Sequence, residues 1–140
     1  MPSFPKPKRP SYLPKRNGNE RSHRVHKSSI WRRVSKQQRQ AVPECEVCVH
    51  LNGIGRLNAK LHADHIVSLR AGGAPLDRAN LMSLCVEHHG RKSSMESRGY
   101  LPAHRSTLAG LIPTDRQQVI RDVAGEHVTD DEAPHGEGRA

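Results

Sequence analysis

Apolar positions are sparse along this chain and cluster in a few short stretches. Ser28 and Ser29 suit a helix N-cap, and a helix is expected through Ile30, Trp31, Val34 and Gln38, ended by Pro43. Ala59–Val67 alternates loosely and finishes in β-branched Ile66 and Val67, which predicts a strand running into a loop. Ala71-Gly72-Gly73-Ala74-Pro75 is loop by composition. Asn80–Leu84 is a short apolar run of strand length, and Val86–Ser97 has helical composition and stops before Gly99. Pro113-Thr114-Asp115 predicts a further helix start, ahead of an apolar stripe at Val119, Ile120 and Val123. No run of about 18 apolar residues occurs, so no membrane span is expected. The basic N-terminus has no apolar segment behind it, which argues against a secretory signal and for a cytoplasmic location.

Composition changes this picture in one respect. Only 34% of the 140 residues are hydrophobic, and the large aromatics are Phe4, Tyr12, Trp31 and Tyr100. That is too little to bury an ordinary core for the length, so one small domain with disordered flanks is expected. Charge then locates the flanks. The first forty residues hold twelve basic side chains and one acid, Glu20, and Pro2, Pro5, Pro7, Pro10 and Pro14 interrupt regular structure. Residues 1–27 are therefore read as a disordered basic arm suited to a polyanion such as DNA. Residues 28–97 form the domain, 98–126 a helical extension, and 127–140 a disordered acidic tail.

Cysteine and histidine change the picture most. Three cysteines and ten histidines are present. An odd cysteine count without an export signal argues against a disulfide framework. Cys45-Glu46-Val47-Cys48 and Cys85-Val86-Glu87-His88 are two pairs of equal spacing, and together they supply the four ligands that tetrahedral zinc takes. Structural zinc would also staple a block of about 50 residues with a thin core. A second group is left over: His62, Asp64, His65, Asn80 and His89. Adjacent helical residues project about 100° apart, so His88 can face zinc while His89 faces the strands. Strict strand alternation would separate Asp64 from His65 and put His62 beside Asp64. A bulge or strand end would bring Asp64 and His65 together, so His62 is left open between a metal or substrate contact and a structural position.

These residues resemble the HNH endonucleases. His65, Asn80 and His89 correspond to the three named positions, and DHIV, NLMSLC and CVEHHGRK match the pattern around them. The zinc-bracketed form resembles small phage and bacterial members, with His88 standing where many have a fourth cysteine. The resemblance spans about residues 28–92. It implies a small α+β fold, the ββα-metal (His-Me finger) motif stapled by a Cys3His zinc site. The first strand would fall at Lys60–Ile66, the second at Asn80–Leu84 and the helix at Val86–Ser97. It implies a metal-dependent DNA endonuclease leaving a 3′-hydroxyl and a 5′-phosphate. His65 would be the general base. Asp64 and His89 would hold a catalytic Mg²⁺ or Mn²⁺, and Asn80 would orient His65 or tie the inter-strand loop. Arg70, Arg78, Arg91 and Lys92 are expected as DNA contacts. A packaging terminase, or another phage or host DNA-processing protein, is a further partner implied by analogy. The alternative is a non-catalytic zinc module that binds nucleic acid through its basic arm.

Overall fold

The structure is a computed structural model and describes residues 17–126. It is a small α+β fold with two two-stranded antiparallel sheets and five helices among the described residues. The proline-rich residues 1–16 and the tail 127–140, where disorder was expected, lie outside the described residues. None of the helices is long and apolar enough to cross a membrane.

The expected disordered arm is corrected between residues 17 and 27, which form helix α1 (Asn17–Lys27). The physical reason is local. All five prolines of the arm precede residue 15, and none follows until Pro43, so nothing in this segment blocks a helix. Helix α2 (Ser29–Ala41) starts as expected: the Ser28 hydroxyl accepts a hydrogen bond from Trp31 N at 3.1 Å. The first cysteine pair opens a helix. Cys45 is the N-cap of helix α3 (Glu46–Asn52), and the helix closes on Gly53 in the left-handed region at φ 75°.

Strand β1 (Leu61–His65) pairs antiparallel with β2 (Leu81–Cys85), from Leu61 opposite Cys85 to His65 opposite Leu81. All five residues of β2 are buried, because α2, α3 and α4 pack against it. Cys85 is also the N-cap of helix α4 (Val86–Ser97), which packs on both strands and completes the hairpin-on-helix arrangement. The loop between the strands carries two short 3-10 turns, Leu69–Ala71 and Arg78–Asn80. Gly73 is obligatory in that loop, because a Cβ there would lie 1.9 Å from the Val67 carbonyl oxygen.

The helical extension expected over 98–126 is also corrected. It begins with a hairpin, β3 (His104–Thr107) and β4 (Gly110–Pro113), and only then forms α5 (Arg116–Val123). The hairpin docks on the inter-strand loop through Ala74 N to Leu111 O at 2.8 Å and Leu111 N to Gly72 O at 3.0 Å. Helix α5 is capped by Asp115, as the sequence indicates, and buries Val119, Ile120 and Val123. These three join Val47, Ile66, Met82, Leu84 and the three cysteines in the core. Arg116 clamps Glu46 of α3 with two hydrogen bonds of 2.8 and 2.9 Å, while Glu46 also accepts from Ser83 N at 2.8 Å on the outer edge of β2.

Candidate active site and metal centre

Both cysteine-containing pairs sit at helix N-termini, and the same local geometry is used twice. Cys45 caps α3 and Cys48 lies in its first turn; Cys85 caps α4 and His88 lies in its first turn. Unpaired N–H groups and the helix dipole favour thiolates at both places. All four ligand atoms lie within 4.8 Å of one another and all four residues are buried. Cys48 Sγ to Cys85 Sγ is 3.8 Å, and His88 Nδ1 lies 3.4 Å from each sulfur. A tetrahedral zinc with Zn–S near 2.3 Å and Zn–N near 2.05 Å needs S–S edges of about 3.8 Å and S–N edges of about 3.5 Å. These edges match zinc, and the cluster could hold it. Its electrostatics also call for a cation. Burial, then the neighbouring Cys45 and Cys85 thiols, push Cys48 up to about 12. Three thiols this close do not ionise together unless a positive charge joins them.

The second group lies across α4 from the first. His88 points to the cysteines, whereas the next residue, His89, has its Nε2 3.7 Å from Asp64 Oδ1. Its ring stacks on His62 with centroids 4.6 Å apart and planes 15° apart. Strand β1 shows no bulge, so His62 and Asp64 share the side facing α4, as alternation requires. His65, at the end of the strand, is 5% exposed. Asp64 and His65 nonetheless line one groove of about 610 Å³ with His62 and His89, and among the described residues no third strand pairs with β1.

His65 is held tightly. Its Nε2 lies 2.8 Å from the Pro75 carbonyl oxygen. A carbonyl only accepts, so Nε2 carries the hydrogen, and in the neutral ring Nδ1 is the free base. Burial lowers the pKa of His65, partly opposed by the Pro75 contact and by Asp64. One ring face lies against Trp31, centroids 4.6 Å apart and planes 23° apart, and His26 of α1 is 5.5 Å away. Burial, then the proximity of His89, also lowers His62.

Asn80 does not touch His65; it ties the loop. Its Oδ1 accepts from Val67 N at 2.8 Å, and its Nδ2 donates to Val67 O at 3.0 Å and Ala74 O at 2.9 Å. The carbonyl that orients His65 belongs to Pro75, the residue after Ala74. Of the two sequence expectations for Asn80, the loop tie is the contact observed.

The expectation that Lys92 reaches DNA is corrected. Its side chain is fully buried. Lys92 Nζ donates to His65 O at 2.7 Å and also to Glu96, and it lies 2.8 Å from Asp64 Oδ2, off the line of a directed hydrogen bond. Burial alone would lower its pKa, but Asp64 and Glu96 outweigh burial and raise it, so the ammonium stays charged. One buried cation thus grips the side chain of residue 64 and the backbone of residue 65. Among the other basic residues singled out, Arg70 lines the groove. Arg78 is exposed and donates to Gln38 at 3.3 Å, and Arg91 is exposed beside Gly125; neither lines the groove. Arg39 and Lys60, passed over in the sequence, do line it. Their signal was weak, since α2 and the segment before β1 gave no reason to aim them at His65.

No curated protein and no solved structure matches the chain significantly. The sequence carries a family match that coincides with the residues assembled above: residues 45–95, a little over a third of the chain and spanning both cysteine pairs, β1, β2 and most of α4, match the HNH endonuclease family.

Proposed function

We propose that this protein is a metal-dependent DNA endonuclease in which His65 is the general base and Asp64 and His89 hold the catalytic divalent ion. The observation that carries the reading is convergence: His65, Asp64 and His89 line one groove, on the opposite side of α4 from the four-residue zinc cluster.

The donor set fits a hard or borderline cation. Two donors at about 2.1 Å from one ion lie about 3.0 Å apart when adjacent in an octahedron and about 4.2 Å apart when opposite. The 3.7 Å between Asp64 Oδ1 and His89 Nε2 falls between these limits. Two protein donors leave the remaining positions to water and phosphate oxygens, as Mg²⁺ and Mn²⁺ sites permit. Such an ion would supply Lewis-acid polarisation of the scissile phosphate and neutralise charge there.

The chain's own residues do the rest. His65 Nδ1 takes a proton from the attacking water, and Nε2–H stays on the Pro75 carbonyl, which fixes the tautomer. The lowered pKa keeps Nδ1 unprotonated at neutral pH. Asn80 holds the loop that presents the Pro75 carbonyl. Lys92 holds Asp64 and the His65 backbone in place from beneath. Arg39, Lys60 and Arg70 put positive charge on the groove wall, where a phosphodiester backbone passes.

The test is supercoiled-plasmid nicking with Mg²⁺ or Mn²⁺, comparing wild type with His65→Ala. Loss of cleavage in the variant, with zinc content retained, supports the reading. Equal cleavage by both proteins defeats it.

A further inference from the structure

Trp31 is the single tryptophan of a chain with four large aromatic residues, and it is 8% exposed. A lone buried tryptophan ordinarily anchors the apolar core. This one does not belong to the core cluster, which is built from α3, Ile66, β2, the start of α4 and α5. Its aromatic neighbours are imidazoles: His65 in a stack, and His26 edge-on at 5.3 Å and 76°. It lines the same groove as Asp64 and His89.

The position of the indole is itself determined. Trp31 lies in the first turn of α2, its backbone N–H is bound by the Ser28 cap, and α2 packs on both strands of the sheet. The imidazole of His65 makes one hydrogen bond, Nε2–H to the Pro75 carbonyl. That hydrogen bond places Nε2, but correlated changes in χ1 and χ2 can still tilt the ring while keeping the contact. A flat surface against one ring face removes that freedom. An aliphatic side chain could fill the volume but would not define a plane.

We infer that Trp31 is a positioning residue for His65: its indole face sets the imidazole plane, and so the direction in which Nδ1 points into the groove. This rests on the reading of His65 as general base, and it adds a residue outside the 45–95 segment to the catalytic apparatus. Misplacing a reacting group by about 1 Å can reduce the chemical step by about 100-fold without weakening binding. The effect of losing the plane should therefore fall on kcat.

The experiment uses the full chain loaded with zinc, as wild type, Trp31→Phe, Trp31→Leu and His65→Ala. The first readout is the ¹H shift of the His65 ring protons without added Mg²⁺ or Mn²⁺, assigned by their absence in His65→Ala. These protons should be displaced upfield by the indole in wild type, remain displaced with phenylalanine, and return to ordinary values with leucine. The second is nicking kinetics with Mn²⁺. Leucine should lower kcat about 10- to 100-fold with KM for DNA unchanged within about twofold, and phenylalanine should recover most of the loss. Ordinary His65 shifts in wild type, or a Trp31→Leu protein with wild-type kcat, overturn the proposal. If the leucine variant does not fold, the wild-type shifts and the phenylalanine kinetics decide: absent shifts, or a folded phenylalanine protein as inactive as His65→Ala, overturn it. An inactive His65→Ala beside a fully active Trp31→Leu removes the positioning role alone. An active His65→Ala removes the base reading and the positioning role with it.

Discussion

Replacing Lys92 by methionine tests whether the buried cation organises the groove. Methionine keeps most of the stem volume and removes the ammonium. Three acceptors lose their partner: the His65 carbonyl, the Asp64 carboxylate and the Glu96 carboxylate. Removing one member of a buried ion pair costs about 3–5 kcal/mol, because the other member is left charged and uncompensated. Here the carboxylates are not sealed in: the side chains of Asp64 and Glu96 are 18% and 28% exposed, so each can recover some hydration. The carbonyl, left without its partner, adds a further penalty of about 1–3 kcal/mol, which overlaps with the first. The lower end of the first range, about 3 kcal/mol, is the expected loss, a large share of the roughly 5–15 kcal/mol that holds a domain folded. Urea unfolding followed by far-ultraviolet circular dichroism at saturating zinc measures it. The loss should also depend on pH with a definite sign. Burial raises the Glu96 carboxyl, and Lys92 opposes that rise. Without Lys92 it rises further, so the folded variant binds more protons than the unfolded chain above the ordinary carboxylate range. The gap between wild type and variant should therefore widen as pH goes from 5.5 to 7.5. The double variant Lys92→Met/Glu96→Gln, which removes one of the two stranded charges, should recover part of the loss at pH 7.5. A pH-independent loss below about 1 kcal/mol would refute the reasoning, since that is the value of an exposed ion pair.

Zinc removal by a chelator should release one zinc per chain and abolish the cooperative unfolding transition, because apparent zinc binding of about 10–16 kcal/mol is as large as the roughly 5–15 kcal/mol that holds a domain folded; an unchanged circular dichroism spectrum would contradict it. The acid limb of kcat/KM for nicking should have its midpoint below 6.5, because burial holds His65 below its ordinary value and the base is lost only as pH falls through that lowered pKa; a midpoint at or above 6.5 would count against His65. Deleting residues 1–16, which carry five basic and no acidic residues, should reduce the slope of log K against log salt for duplex binding by up to about 4.5, with zinc content unchanged; an unaltered slope would show that the arm makes no phosphate contacts.

Legibility in the sequence followed the range of the interactions. The four residues that could hold zinc were readable because two pairs repeat one spacing of three, and that signal is local. Helix α4 and the separate strands β1 and β2 were readable from composition, pattern and breakers, whereas their pairing was implied only by the family resemblance. The hairpin β3–β4 was not. Three of the four residues of β3 are exposed, so it has no apolar alternation to detect, and it exists because β4 docks on Gly72–Ala74 of a distant loop. Helix α1 was obscured by the prolines just before it. Lys92 reads as a surface lysine on any helical wheel, and its burial follows from Asp64, a residue 28 positions earlier.

The two metal-related sites place opposite demands on α4, and its sequence resolves them in a single turn. On the proposed function, His88 is buried and fixed as a zinc ligand, while His89 stays partly open so that its groove can admit a phosphodiester. Successive residues about 100° apart put the two on different sides of the helix. Lys92, three residues after His89, returns to the strand side and locks β1 from below. The zinc cluster fixes both the start of α4 and the end of β2, because Cys85 belongs to each. Leu61, at the far end of β1, pairs with that same cysteine. Zinc bound at this cluster would thus set the register in which Asp64 and His65 meet α4, even though none of the four cluster residues lines the groove. On that argument a conservative change at the cluster, Cys48→His, should leave a folded protein whenever it still binds zinc. Any loss of nicking in that protein should appear in kcat, through a displaced α4, and not in the affinity for DNA.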